Sequence, residues 1–474
     1  MPAAILTPIF DRINAFLSEI VQKKEIFTSE SLETFTRSLS DFLFSIACDL
    51  LKVWLELNQP TENLLKYQGQ KYFYKKTEDK RYVTLFGEVI VSRRVYRNEV
   101  LEKNVIPLET SLKMENQYAT VEVRELIGYL TGFLTPKTIW NVLSRFWSCS
   151  PSVSTIQRIG DEIGKVMEES KEEIINAERQ QEQELPEGTE VLAVSLDGVN
   201  VTSREPGTRK RRPKTRSGHE LSENGASCYK NAGVATLSFY KPSAGEDDRI
   251  ALQRQRTIVA AHAPEDRMKV LKKELEQEVN HWVNIASPNT KKVVVMDGAR
   301  GLWSYIDDCK LFKGWVQIVD FHHCCEHLSK LAEEIFGKSS AKGRKWYSKY
   351  RGLFLTTIDG VKRKLRSAKR YLKSLHKDRL LNQLQYFINN EKRMRYASFR
   401  QNGLPIGSSP VEASCKTIVK ARSCCSGMRW SRQRAQHILR IRTTIRNNRW
   451  LGTFANFRQL PRIRITPKKS EERL

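Results

Sequence analysis

The chain has 474 residues, a formal net charge of +26 and a sequence pI of about 9.7. That length leaves room for two or three domains and a sizeable core. That charge makes nucleic acid the first partner class to consider, ahead of a basic ribosomal or membrane-surface protein. Nine cysteines are present, with adjacent pairs at Cys324-Cys325 and Cys424-Cys425 but no C-x-x-C. This argues against a zinc ribbon or thioredoxin-type site and fits free thiols in a reducing cytosol. No signal-peptide pattern and no apolar run of membrane-spanning length is expected.

Residues 1–60 predict a helical region. Pro8–Lys23 makes one helix, and Thr28 or Ser29 caps a longer one. Leu32, Phe35, Leu39, Phe42, Ile46, Leu50 and Trp54 recur at three- and four-residue spacing, a continuous apolar stripe. Packing within the monomer is its default use; a dimer seam is the alternative, because coiled coils share the spacing. In residues 61–119, Arg81–Arg97 alternates β-branched and aromatic residues about Gly87-Glu88 and predicts a β-hairpin. Arg93, Arg94 and Arg97 on its second strand are candidates for phosphate contact. Residues 120–185 predict three helices, Val121–Gly132, Pro136–Trp147 and Ser152–Lys165. Helix-turn-helix modules have this layout, with the later helix in the major groove. Ser154, Thr155, Gln157 and Arg158, with Ser152, then stand at the start of that helix. An ordinary three-helix packing unit reads the same way. Lys165–Glu184 predicts one highly charged helix that links to the next domain, and Pro186-Glu187-Gly188 breaks the chain.

Residues 186–330 predict the first part of an α/β domain. Val191–Val201 is an apolar strand carrying Asp197 followed by a glycine; Ala232–Tyr240 and Thr257–Ala261 are the next strands. Between the first two lies Thr208–Glu220, whose Arg209, Lys210, Arg211, Arg212, Lys214 and Arg216 form a dense cationic loop. It is either solvated charge that repels itself or, after Asp197, a clamp on a DNA backbone. Glu265–Val283 predicts an amphipathic helix. Two short apolar runs follow, Val293–Met296 and Val316–Val319, ending in Asp297 and Asp320. Such runs read as buried parallel strands. Each aspartate then sits at a carboxyl end, where open α/β sheets place their sites. Capping of the next helix is the plain alternative. Gly298 is expected to let the chain turn sharply after Asp297.

Residues 331–400 are rich in Lys, Arg, Leu and Tyr at helical spacing and predict an all-α insertion. Lys338–Gly352 mixes basic and aromatic residues, which suits either a nucleic-acid track or core packing. In residues 401–474, Glu412 begins a helix after a Gly/Ser/Pro turn. The tail from Lys420 carries Arg429, Arg432, Arg434, Arg440, Arg442, Arg446 and Arg449 along a predicted helix, suited to forked contact with phosphate. Three acidic residues on separate elements, Asp197, Asp297 and Glu412, are candidate oxygen ligands for Mg²⁺, with Mn²⁺ as a substitute. His322, His323 and His327 cluster with Cys324 and Cys325, and His323–His327 spells H-x-x-E-H with Glu326. A zinc site is a competing but weaker reading of that word.

The words LDGV at Leu196–Val199, MDGARGLW at Met296–Trp303, DFHHCCEHL at Asp320–Leu328, PIGSSPVEASCK at Pro405–Lys416 and SGMRWS at Ser426–Ser431 together resemble bacterial insertion-sequence DDE transposases of the ISKra type, in the wider Mutator-like group. The resemblance runs from about Thr84 to Trp450. It implies an RNase H-like catalytic domain with a mixed sheet, and a metal triad of Asp197, Asp297 and Glu412. Asp320 and His323 match an accessory (C/D)-x-x-H signature. Members of the family often carry zinc-binding cysteine pairs after the hairpin. The segment RNEVLEKNVIPLE has no cysteine, so no zinc is expected. The implied partners are transposon ends and target DNA, bound by a homodimer or larger homo-oligomer near the bacterial nucleoid. A nuclease that cuts without joining and a domesticated DNA-binding protein are the alternatives.

Overall fold

The computed structural model describes residues 2–22, 28–112, 114, 117–146, 150–204, 229–244, 250–370, 377–426 and 428–457. The chain divides into two compact units, Met1–Val166 with Phe457–Leu474, and Met167–Asn456. No described helix is long and apolar enough to cross a membrane.

The first unit opens with α1 (Pro2–Gln22) and α2 (Ser29–Leu57). Thr28 starts α2 in a capping box: its hydroxyl accepts from Ser31 N, while the Ser31 hydroxyl accepts from Thr28 N. The two helices run antiparallel, with Phe16 stacked on Phe42 at 3.9 Å between ring centroids and Arg12 paired to Asp49. The expected hairpin is the centre of a larger antiparallel sheet, β1 (Leu64–Tyr67), β2 (Gln70–Thr84), β3 (Gly87–Asn98) and β4 (Lys103–Val105), paired in that order. Its turn is Leu85-Phe86, two residues before the expected Gly87-Glu88. Thr84 fixes that turn: its hydroxyl accepts from Phe86 N and donates to Gly87 O. Gly87 follows at φ +138°, a backbone conformation open to glycine. Tyr82, Val89 and Val91 pack from this sheet onto Leu55 of α2. Then come α3 (Pro107–Ser111), α4 (Val121–Thr131), α5 (Pro136–Phe146) and α6 (Val153–Glu169), the last three close to the expected helices.

The second unit is α/β. The charged stretch expected as one linker helix is broken at Ser170, and α7 (Lys171–Gln181) lies against this unit's own helices. The strands are β5 (Val191–Thr202), β6 (Tyr229–Ala244), β7 (Ile250–His262), β8 (Lys291–Met296) and β9 (Val316–Val319), with α8 (Lys269–Ile285) and α9 (Arg300–Asp308) between them. Sheet order is β7-β6-β5-β8-β9. β6 runs antiparallel to both β5 and β7, while β5, β8 and β9 are parallel. A block of helices follows: α10 (Phe321–Phe336), α11 (Ala341–Thr356), α12 (Gly360–Lys369), α13 (Lys377–Asn390) and α14 (Tyr396–Gln401). It shares one continuous core with the sheet face that carries Leu192, Val194 and Val319, and with Trp282 of α8. The chain ends its described part with α15 (Ser409–Ser414), a π-helical turn at Cys415–Lys420, α16 (Ala421–Ser423), α17 (Arg432–Arg446) and α18 (Trp450–Phe457). Val411, Cys415, Val419 and Leu439 from these elements cover the opposite face against Val199, Val201, Val234 and Val259. The mixed sheet thus lies between two helical layers.

Arginines expected to meet phosphate tie the second layer down. Arg440 pairs with Glu168 and Glu274, and Arg449 with Glu178, Glu182 and Glu278. Burial works against their charge, but the surrounding glutamates outweigh it and hold both guanidinium groups protonated. Asn447 closes the edge of β7 like an extra strand: its amide accepts from Val259 N at 2.8 Å and donates to Val259 O at 3.0 Å.

Candidate metal centre

Three aspartates lie on or just past the parallel strands, Asp197 within β5, Asp297 after β8 and Asp320 after β9. The β5–β8 ladder pairs residues numbered 100 apart, ending at Val194 with Val294. Asp197 lies three residues past that last pair on β5, and Asp297 three residues past it on the β8 side, just beyond the end of β8. The β8–β9 ladder pairs Met296 with Val319, and one step further Asp297 meets Asp320. The Asp320 amide still donates to Met296 O at 2.7 Å, so the alignment persists past the end of β9. This is the carboxyl edge of the parallel strands, where such sheets hold their ligands.

The three carboxylates differ in what remains open on them. Asp320 is fully buried. One oxygen accepts from His323 N at 2.8 Å, which makes it the N-cap of α10. The other accepts from Ser408 N and from Ser408 Oγ, the latter at 2.9 Å. Asp297 is half-buried; one oxygen accepts from Ala299 N at 2.9 Å, and among the described residues none donates to its other oxygen. Asp197 is half-buried as well, accepting from Gly198 N at 2.6 Å and from the Cys415 thiol at 3.4 Å. Burial, and after it the Asp197 charge, pushes the Cys415 thiol up, so it stays a neutral donor. The glycine after Asp297 serves space rather than a sharp turn. Gly298 has no positive φ, and a Cβ there would sit 2.2 Å from the Tyr386 ring.

Glu412 reaches this edge from the other layer. Pro410 opens α15 in the first turn, a position that suits its missing N–H. Ser408, bonded to Asp320, also lies 3.5 Å from Glu412 Oε1, and His323 Nε2 lies 3.6 Å from the same oxygen. Asp320, His323 and Glu412 offer ligand atoms all within 4.8 Å of one another, a group able to hold a metal ion. The hydrogen bonds qualify that proximity. Asp320 has its lone pairs directed at three protein donors, whereas Asp197, Asp297 and Glu412 are half-buried and keep acceptor capacity. The π-helical turn begins three residues after Glu412, and such turns often mark functional sites. Arg442 occupies carbonyls of that turn, donating to Ile418 O at 2.8 Å and to Thr417 O.

No family model matches this chain, and no curated protein matches it. Among solved structures it is similar to the Drosophila P element transposase strand transfer complex, with a TM-score of 0.34 and 10% identity over 72% of this chain and 96% of that one. A likeness this loose carries no argument. The insertion-sequence resemblance therefore stands on the sequence words alone.

The candidate DNA contacts divide sharply. Arg93 is paired with Glu78 and Glu109, and Arg94 donates to Thr61 O at 3.1 Å while lying over the Tyr74 ring. Both serve their own sheet, as Arg442 serves the π turn, and none of the three is carried forward as a phosphate contact. Ser154 and Arg158 are exposed on the first turns of α6, with Thr155 and Gln157 half-buried beside them. Arg432 and Arg434 are exposed at the start of α17, and Arg429 is half-buried one residue before Trp430, which bridges to Ser203 just past β5. Arg209, Lys210, Arg211, Arg212 and Lys214 lie outside the described residues. In the histidine cluster, His327 leaves His323: its ring stacks on Tyr386 at 3.6 Å and donates to Gln383 Oε1 at 3.0 Å. Cys324 is fully buried, which pushes its thiol up to about 12.

Ser408, Cys415 and Tyr386 shape the site without having been singled out in the sequence. Ser408 and Cys415 fall inside the word around Glu412, so their place in the sequence was marked although their role was not. Nothing local marks Tyr386, which comes from the helical insertion.

Proposed function

We propose that this protein is a metal-dependent DNA transposase with an RNase H-like catalytic domain. It cleaves at the ends of an insertion sequence and joins the freed 3′-OH to target DNA. The observation that carries this reading is that half-buried Asp197 and Asp297 each lie three residues past the last pair of the adjacent parallel strands β5 and β8, with Glu412 brought to the Asp320 end of the sheet from the covering helix. The element order supports it: from β5 to α10 the unit runs β-β-β-α-β-α-β-α, the order expected of an RNase H-like fold.

The donor set fits a hard divalent cation such as Mg²⁺, which takes few carboxylates and completes its shell with water and phosphate oxygens. Asp197, Asp297 and Glu412 would hold it. When bound, such a cation activates the attacking oxygen and stabilises the leaving oxygen of an in-line displacement at phosphorus. The chain's own contribution is positional. Ala299 N orients Asp297, Cys415 orients Asp197, and Asp320 with Ser408 ties the Glu412 turn to the end of β9. His323 faces Glu412 from the first turn of α10, placed to meet a phosphate or steady the carboxylate. Exposed Ser154 and Arg158 on α6, exposed Arg432 and Arg434 on α17, and the cationic loop at 208–220 supply candidate DNA contacts in this reading.

The test is cleavage and strand transfer on labelled DNA taken from the flanks of the gene, with Mg²⁺ present. Cutting and joining together are expected. Cutting without joining would leave a nuclease, and binding without metal-dependent cutting would leave a domesticated DNA-binding protein.

A further inference from the structure

The apolar stripe of α2 is largely uncovered. Phe42 and Ile46 turn inward, Phe42 onto Phe16 of α1 and Ile46 to 7% exposure. Leu32, Phe35, Leu43, Leu50, Trp54 and Leu57 remain between 41% and 59% exposed. At 3.6 residues per turn these six fall within about 100° of one another, a single face running along the helix. On α1, Phe10, Leu17 and Val21 are exposed too, Val21 at 80%. At roughly 200 Å² for each large apolar side chain, the nine offer on the order of 1,000 Å². Patches that large on a lone protein mark interaction sites. A stable interface takes about 800 Å² from each partner.

Charge narrows the occupant. The two helices carry seven carboxylates, Asp11, Glu19, Glu30, Glu33, Asp41, Asp49 and Glu56, against Arg12, Arg37 and Lys52, a net −4 in a chain of +26. A helix pair of net negative charge is repelled by DNA phosphate and by anionic lipid. Its apolar stripe suits another apolar helix face. A stripe at three- and four-residue spacing on a helix of 29 residues, roughly 43 Å long, is what a two-fold helix seam requires. Beyond Trp54 the stripe opens into a cleft of about 640 Å³ walled by Leu51, Leu85, Phe86 and Leu112, which extends the apolar surface into the sheet.

We infer that this face of α2 is the dimerisation surface of the protein, and that its occupant is the same face of a second copy. The association needs neither DNA nor metal, and it is independent of the chemistry assigned to the second unit.

The experiment is light scattering on the size-fractionated full chain without DNA at high salt, where charge pairs are screened. The expected mass is twice the 54.9 kDa of one chain. The double variant Leu43→Asp/Leu50→Asp changes side chains that are exposed in the single chain, so its circular dichroism and melting should match the parent. Its dimer should weaken by at least roughly a hundredfold, because the seam would bury unpaired charge. Trp54→Ala, the gentler change, should weaken it less. A parent at monomer mass at tens of micromolar would overturn the inference, including one that instead sediments with neutral vesicles. A folded double variant that keeps the dimer mass would overturn it equally, placing the contact elsewhere.

Discussion

The turns after β8 and β9 are built from nearly the same sequence, an apolar run and an aspartate, yet their aspartates have opposite surroundings. Asp297 is half-buried and meets one backbone donor. Asp320 is fully buried and meets three donors from two elements. Proximity alone favours Asp320, which lies with His323 and Glu412 in one tight group. The lone pairs favour Asp297. A carboxylate saturated by N–H and O–H groups fixes structure, and one with an open oxygen can take a cation. Position at a strand end distinguishes neither.

Substitution to asparagine should separate the two most strongly. Asp297→Asn should cut DNA cleavage by roughly three orders of magnitude or more, as expected for one member of a catalytic unit, while the urea midpoint stays near the parent's. Asp320→Asn places an amide NH₂ against an N–H or hydroxyl donor in a buried site. It should lose about 2–3 kcal/mol of stability, read as a lower urea midpoint at unchanged slope. If Asp297→Asn proves the destabilised variant and Asp320→Asn melts like the parent, the contrast is reversed.

The ionic layer beneath α17 offers a second saturated region to compare. Arg449→Met leaves Glu178, Glu182 and Glu278 without their shared cation and should cost about 3–5 kcal/mol. A loss under roughly 1 kcal/mol would mean that solvent reaches these carboxylates.

A smaller effect is expected with pH, and two of the three glutamates on Arg449 carry opposite signs. Burial pushes Glu278 up, but Arg449 and Arg179 outweigh it and hold the carboxyl at about 2. Its contribution is therefore complete above the ordinary glutamate value and fades as pH falls toward 2. Burial dominates at Glu178, whose pKa stands at about 7 despite Thr453 and Arg449. The folded chain then holds a proton that the unfolded chain releases, so this site's contribution falls as pH rises from about 4.5 to about 7. Glu178→Gln should flatten stability between pH 5 and 7 (approximate limits from the same linkage) and leave the acid limb in place. An unchanged slope in that interval would show that Glu178 is ionised throughout.

Much of this architecture was legible in the sequence because it rests on local pattern. Short Val/Ile runs announced β8 and β9, spacing announced α4 to α6 and the helical insertion, and the helix-start preferences announced the Thr28 cap. The Asp320 cap was visible too, as the plain alternative. Three kinds of feature were not. Strand pairing is a long-range fact, so the placing of Asp197 and Asp297 on neighbouring strand paths had no local signal. β6 and β7 extend well beyond their apolar centres, since cross-strand pairing carries residues such as Lys241 with Gln253 whose own pattern is polar. The use of each arginine depends on what folds against it. Arg432 and Arg440 read alike in the sequence, and one is exposed at the head of α17 while the other is buried between Glu168 and Glu274.

The most direct test of the central claim is a Mn²⁺ titration followed by electron paramagnetic resonance, run without DNA on the parent, Asp297→Asn, Glu412→Gln and His323→Ala. If Asp197, Asp297 and Glu412 hold the ion, Asp297→Asn and Glu412→Gln should each weaken binding by roughly tenfold or more, while His323→Ala should change it less. Parent-like binding in Asp297→Asn, together with loss in His323→Ala, would contradict the account and assign the ion to Asp320, His323 and Glu412.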